Sequence, residues 1–244
     1  MNGIRCPIVE LRQYTLHPGR RDVLIDLFDR EFVETQEAVG MAILGQFRDL
    51  DDPDRFVWLR GFTDMPTRAQ ALDRFYRGPA WQAHSHQANA TMIDSDNVLL
   101  LRPVTPHSGF PSPDAARPAI GHTAPPPSRV LATLYYRDRP FDEAFVDFFD
   151  RQMRPMLVEA GAVPLACLQT EDAENTFPAL PVRTGENVFV WFAQFPSPAH
   201  LDDHLHQLER SNRWRDQVLP TLSATLTCPP HQLRLAPTAR SLLR

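Results

Sequence analysis

The run Phe56-Val57-Trp58-Leu59-Arg60-Gly61-Phe62 returns as Phe189-Val190-Trp191-Phe192-Ala193-Gln194-Phe195, and this recurrence constrains the fold more than any other feature of the chain. Both runs alternate large side chains about a Trp, the period-two pattern of a buried strand. Their surroundings correspond as well. Phe28-Asp29-Arg30 returns as Phe149-Asp150-Arg151 and Gly40 as Gly161, each 121 positions on, whereas Trp58, Leu72 and Trp81 return as Trp191, Leu205 and Trp214, each 133 positions on. Self-similarity at a fixed spacing predicts one structural unit used twice. The growth of the offset from 121 to 133 gives the second copy 12 extra residues, around Glu171 to Glu186, between its second and third elements.

Within the first copy, Ile8 to Leu16 reads as a strand with Glu10, Arg12 and Tyr14 on one face and Val9, Leu11 and Gln13 on the other. Asp22 to Val39 carries Val23, Leu24, Leu27, Phe28 and Phe32 on one helical stripe, and Gly40 supplies its stop. Met41 to Arg48 and the Trp58 run form a hairpin across Asp52-Pro53. Asp64-Met65-Pro66 caps a second helix with Ala69, Leu72, Phe75 and Tyr76 buried, Gly78-Pro79 interrupts it, and Ala80 to about Ala90 extends it. Val98 to Arg102 is the fourth strand, completing a ferredoxin-like βαββαβ order over residues 1–104.

Residues 105–128 are a Pro-rich, extended linker, and residues 129–237 repeat the order. Strands are expected at Val130 to Tyr136, Val163 to Gln169, around Phe189 and at His231 to Leu235, with helices at Phe141 to about Ala160 and around Leu201, Leu205 and Leu208. Residues 238–244 read as a loose tail. Each unit covers one sheet face with its helices and leaves the other apolar face bare, so the two sheets are expected to pack face to face as an intrachain α+β barrel, of the dimeric α+β barrel kind, with a ligand cavity between them.

Composition excludes several classes of function. All 25 basic residues are Arg, so Schiff-base chemistry and a Walker-type phosphate loop, which need a Lys, are ruled out. The ten glycines never form Gly-x-Gly, so a dinucleotide fingerprint is missing. A net charge of −5 without a basic cluster argues against nucleic acid. No apolar run reaches membrane-spanning length and Met1 to Pro7 has no signal-peptide core, which makes a cytoplasmic location the expectation. Cys6, Cys167 and Cys228 are expected to be free thiols.

The run Glu10-Leu11-Arg12-Gln13-Tyr14, the segment Gly45-Gln46-Phe47-Arg48-Asp49, Val57 to Phe62, and Trp81 to Pro103 resemble a NIPSNAP-family domain, clearly over residues 8–104 and in eroded form over residues 129–237. That resemblance implies the dimeric α+β barrel fold. The wider superfamily holds cofactor-free monooxygenases, isomerases, haem enzymes and plain binding proteins, so the fold does not select an activity.

Differences between the copies locate a candidate site. Glu10 and Arg12 become Leu131 and Thr133, Arg60 becomes Ala193 and His84 becomes Gln217, while Tyr14 persists as Tyr135. A polar set kept in one copy alone is the mark of a single asymmetric site. His84 shares a helical face with Trp81 and Ala88 and could move a proton, or could be a hydrogen-bonded structural His anchored by Asn89; His86 lies off that face. Glu10 and Arg12 could be a base and an anion clamp, or an internal salt bridge. Arg60, beside Trp58, could clamp an anion or pair with Glu10, and Tyr14 could donate to an oxyanion or be satisfied within the core.

The expected site therefore has His84, Tyr14 and Arg12 as catalytic residues, with Glu10, Gln46, Trp58, Arg60, Trp81 and Asn89 binding substrate. His200 and His204 have metal-pair spacing, with Glu209 following, but lack a third ligand, so no metal is expected. The leading expectation is a cofactor-independent enzyme acting on a small, partly apolar, anionic or enolisable molecule. The alternatives are a non-enzymatic binding or interaction protein and a haem protein; a homodimer stays open. The insertion at 171–186 could be a lid over the cavity or a tolerated surface loop.

Overall fold

The computed structural model describes residues 6–112 and 116–244. In the first half, β1 (Ile8–Leu16), β2 (Ala42–Asp49), β3 (Arg55–Phe62) and β5 (Val98–Pro103) pair antiparallel in the order β5-β1-β3-β2. In the second, β6 (Arg129–Arg137), β7 (Pro164–Thr170), β8 (Asn187–Phe195) and β9 (His231–Pro237) pair in the matching order β9-β6-β8-β7. The two sheets join edge to edge. Phe47 to Asp49 pair with Leu235 to Pro237 at one seam, and Leu101 to Pro103 with Leu168 to Thr170 at the other, which closes an eight-stranded antiparallel barrel. A short strand not expected from the sequence, β4 (Met92–Asp94), pairs with the end of β1.

Closure gives each strand two buried faces with different covers. The inner face is largely aliphatic and draws on all eight barrel strands, with Leu11, Leu59, Leu101, Val130, Leu168, Val190 and Leu235 among its members. The space between the sheets thus holds a largely aliphatic core that includes Phe47 and Phe192, where a ligand cavity was expected. The outer face of each half is aromatic and lies beneath that half's helices.

The first helix differs from the uninterrupted one expected. α1 (Arg21–Leu27) passes through a π-helical turn, Phe28–Phe32, into α2 (Val33–Glu37). Ile25 and Val33 are buried along with Leu24, Leu27, Phe28 and Phe32, while Val23 is exposed. The second half places the same kind of turn, Phe149–Met153, between α5 (Glu143–Phe148) and α6 (Arg154–Glu159). Gly40 and Gly161 end both helical segments at φ of 100° and 90°, the left-handed stop that glycine permits.

α3 (Met65–Tyr76) starts at Asp64, whose carboxylate accepts from the Thr67 backbone at 2.7 Å in a capping box, and α4 (Pro79–Asn89) follows. In the second half α7 (Pro198–Arg210) leads through Trp214–Val218 to α8 (Leu219–Ser223). No described helix is long and apolar enough to cross a membrane.

The tail read as loose and the linker read as extended are both pinned. Residues after Pro237 carry buried Thr238, Arg240 and Ser241; Arg240 pairs with Glu34 and donates to the Pro118 carbonyl at 3.0 Å, and Leu243 N–H donates to the Leu44 carbonyl at 3.1 Å. In the linker, Arg117 donates to the carbonyls of Arg240 and Ile43 at 2.7 and 2.6 Å, and Phe110 packs on Phe192 at 4.9 Å between centroids. Carbonyls freed at the ends of strands and helices attract guanidinium donors, and composition alone does not reveal that attraction.

Candidate functional site

β1 and β3 pair with Glu10 opposite Arg60 and Arg12 opposite Trp58, so these four side chains share the helix-covered face. α3 contributes Arg68, one turn before Leu72 on its inward stripe. Glu10 Oε2 accepts from Arg12 Nη1 at 2.6 Å and Arg60 Nε at 2.7 Å, and Oε1 accepts from Arg68 Nε at 2.7 Å. All four side chains are at most 1 % exposed.

Burial alone would raise the Glu10 carboxyl, but the Arg60, Arg12 and Arg68 charges outweigh it and hold the group well below the usual carboxylate range. Glu10 is thus a fixed counter-ion and a very weak base. One carboxylate faces three guanidiniums, which leaves two positive charges without a buried partner. Buried charges are ordinarily paired. Arg60 Nη1 reaches Gln36 Oε1 at 3.2 Å and Arg68 Nη1 reaches Asn175 Oδ1 at 2.9 Å, both neutral oxygens, while Nη2 of Arg60 and of Arg68 has no partner among the described residues.

Beside this cluster an aromatic cavity lies between sheet and helices, walled by Tyr14, Trp58, Phe28, Phe75, Tyr76 and Trp81. It offers about 30 Å³ to the centre of a water-sized body, enough for one or two waters. Two donors belong to its wall. The Tyr14 hydroxyl accepts from Arg12 Nε at 3.0 Å, and its own hydrogen meets no acceptor among the described residues. Trp58 Nε1–H is buried without a partner. The second half shows the difference: there Trp191 Nε1 donates to the Tyr135 hydroxyl at 2.9 Å, and Thr133 stands where Arg12 stands in the first half. Arg12 takes the tyrosine oxygen and leaves the indole donor free. Its guanidinium also lies 5.4 and 5.5 Å from the Tyr14 and Trp58 rings, and that of Arg60 lies 5.1 Å from Trp58.

Of the residues expected in a site, Glu10, Arg12, Tyr14, Trp58, Arg60 and Trp81 come together here, and the internal salt bridge between Glu10 and Arg12 is formed. Three do not join them. His84 sits at the margin of the inward face of α4, edge-on to Phe32, with Nε2 3.5 Å from Glu31 Oε2; both side chains are about 30 % exposed. Asn89 is exposed at the end of α4. Gln46 is buried under the π-helical turn, 3.4 Å from Asp29. His204 faces inward onto the Ala160 carbonyl at 3.0 Å while His200 pairs with Ser197, so the two do not converge.

The sequence reading missed Arg68, Gln36 and Asn175. Arg68 carried a signal, since an Arg three and seven positions from Ala71 and Phe75 lies on an otherwise apolar stripe. Asn175 carried none, because its role depends on where a loop from the other half lands.

The paired motif on β1 and β3 falls in the stretch with a family assignment. Residues 9–106 match the NIPSNAP family model. That stretch supplies every residue of the cluster and cavity except Asn175 and its neighbours. Among solved structures, an anthrone oxidase-like protein is 11 % identical over 98 % of this chain and 94 % of its own, with a TM-score of 0.57. A candidate monooxygenase from Fusobacterium nucleatum is 8 % identical over 96 % and 94 %, with a TM-score of 0.54. A NIPSNAP-like domain protein from Burkholderia xenovorans is 26 % identical over 46 % of this chain and 95 % of its own, with a TM-score of 0.39. The two full-length likenesses establish the barrel fold. No curated protein matches the sequence.

Proposed function

We propose that the helix-covered face of the NIPSNAP-like half binds a small, flat, anionic or enolisable molecule, and that the protein acts on it as a cofactor-independent enzyme of the oxygenation, isomerisation, cyclisation or lyase kind. The observation that carries this reading is the pair of unpartnered guanidinium nitrogens, on Arg60 and Arg68, in a cluster with two surplus positive charges beside an aromatic cavity. The monooxygenase-like and oxidase-like fold neighbours support it by analogy of fold alone.

In this mechanism the aromatic wall opens beyond the room for water it now offers, the ligand's ring lies against Trp58 and Phe75, and its developing oxyanion receives hydrogen bonds from Tyr14 O–H and Trp58 N–H. Arg12, donating to the Tyr14 oxygen, polarises that hydroxyl and strengthens its donation. The surplus charge, screened by little water, lowers the energy of an enolate and so the basicity required of the group that takes its proton. Glu10 holds the arginines in place. His84, turned toward Glu31, has no part in the step and gives the haem alternative no axial ligand in this cavity. We also infer that the two halves are copies of one unit, of which the first kept the polar set.

A titration monitored by tryptophan fluorescence tests the reading with matched pairs of anionic and neutral aromatic probes, followed by oxygen-uptake and product analysis for those that bind. Anionic members should bind more tightly than neutral ones, Arg60→Met should weaken them by about tenfold or more, the value of a charged hydrogen bond, and His84→Gln should leave binding unchanged. Equal binding of both members of each pair would sink the proposal.

A further inference from the structure

Residues 171–186 leave β7 and return at β8 in the second half, yet the middle of the segment is seated on the first half's site. Its base is fixed by Arg183, which pairs with Glu186 and donates to Asn97 Oδ1 at 3.1 Å. Asn175 Oδ1 and Thr176 Oγ1 both accept from Arg68 Nη1, at 2.9 and 3.4 Å. Phe177 stacks on the cavity-wall residue Tyr76, with centroids 6.0 Å apart and planes 26° from parallel. One short segment therefore touches both the charged cluster and the aromatic wall.

The chemistry of that contact is mismatched. Arg68 is fully buried, shares one carboxylate with two other guanidiniums, and meets in the segment only an amide carbonyl and a hydroxyl. Neutral oxygens satisfy hydrogen bonds but leave the charge unbalanced, and a charged acceptor binds a guanidinium about twice as strongly. The segment also holds itself together: Asn175 Oδ1 accepts from Phe177 N–H at 3.1 Å, and its Nδ2 donates to the Leu180 carbonyl at 2.9 Å. It can leave Arg68 as one piece once Thr176 Oγ1 gives up its donation to the Met65 carbonyl, at 3.1 Å.

We propose that Asn175 and Thr176 hold the place of the ligand's anionic group on Arg68, and that an aromatic carboxylate binds by exchange with them, its carboxylate replacing the two neutral oxygens on Nη1 and engaging the free Nη2. Lifting Asn175 carries Phe177 off Tyr76 and opens the aromatic wall to the ring. The second half thereby sets both the charge preference and the access of a site built in the first. This rests on the reading of the helix-covered face as the binding site.

Benzoate is the probe, titrated into the full chain at constant ionic strength with tryptophan fluorescence as the readout and hydrogen exchange followed over residues 173–181. Binding should be saturable and should speed exchange at the Phe177 and Leu180 amides. Asn175→Ala, which removes the internal competitor, should bind benzoate about fivefold more tightly, the value of one neutral hydrogen bond. Asn175→Asp, which places a fixed carboxylate on Arg68, should bind it at least about tenfold more weakly.

A purely structural loop would not give opposite signs for two substitutions at one position. Shifts of the same sign, or exchange unaltered by benzoate, overturn the proposal. Saturable benzoate binding with unaltered exchange overturns it while leaving the reading of the site intact; binding of phenol alone, or of neither, removes both.

Discussion

Replacing Glu10 by Gln removes the only anion among three buried guanidiniums while nearly preserving shape. The amide also turns two donors toward Arg12, Arg60 and Arg68, where the carboxylate accepted from all three. Deleting one partner of a buried ion pair costs about 3–5 kcal/mol, because the remaining charge stays desolvated. For a domain of this size each kcal/mol moves the melting temperature by about 2–4 °C, so Glu10→Gln should melt about 10 °C lower at neutral pH.

The pH dependence has a definite sign. The folded Glu10 carboxyl lies below its unfolded value of 4.5, so its contribution is complete above that pH and is lost as pH falls toward the folded value. Paired thermal melts by circular dichroism at pH 7.5, 5, 4 and 3 should show a constant gap above about pH 5 that narrows in acid. A gap under about 2 °C at pH 7.5, or one of the same width at pH 3, would refute the assignment of Glu10 as the cluster's counter-ion.

Asp29, on the π-helical turn, is pushed up to about 6 by burial, against the opposing charges of Arg240 and Arg117. A raised carboxyl contributes stability that is present below 3.8 and lost as pH rises through about 6, so Asp29→Asn should raise the melting temperature at pH 8 and leave it unchanged near pH 4; thermal melts at the two values check this. Tyr135→Phe strips the acceptor from Trp191 Nε1 in the second half and should cost about 1–3 kcal/mol, read from urea unfolding; an unchanged midpoint would show that the hydrogen bond carries no net stability.

The recurrence around Trp58 and Trp191 located eight strands to within a few residues because both halves obey the same alternation, and each half's signal checks the other's. Alternation on β1 separated Glu10, Arg12 and Tyr14 from Val9, Leu11 and Gln13 correctly. It could not say which face meets helices and which meets the opposite sheet, since both faces are buried and period two is blind to the identity of the cover. A finer signal was present: the inner positions Val57, Leu59, Val188 and Val190 are aliphatic, whereas the positions beneath helices, Phe56, Trp58, Phe189 and Trp191, are aromatic. Mostly aliphatic side chains fill the barrel, and large rings bridge the wider gap to a helix layer. His84 was misplaced for a related reason, since Trp81 and Ala88 define the inward direction of α4 and His84 sits at its edge.

The two halves use one scaffold to opposite ends. In the second, Leu131, Trp191 and Ala193 occupy the strand positions of Glu10, Trp58 and Arg60 and join one apolar core, and the Trp191 indole is satisfied by the Tyr135 hydroxyl. In the first, Arg12, aligned with Thr133, donates to the tyrosine oxygen while the indole N–H has no partner among the described residues, and Arg60 and Arg68 add charge that Glu10 cannot balance. A buried site so arranged lowers stability where it stands. The barrel seams tie that half to its largely apolar partner through six strand-residue pairs and a shared interior, and the 171–186 segment crosses the same boundary to reach Arg68. The second half thus offsets the instability of the charged half and also supplies Asn175 and Thr176, two neutral acceptors for Arg68.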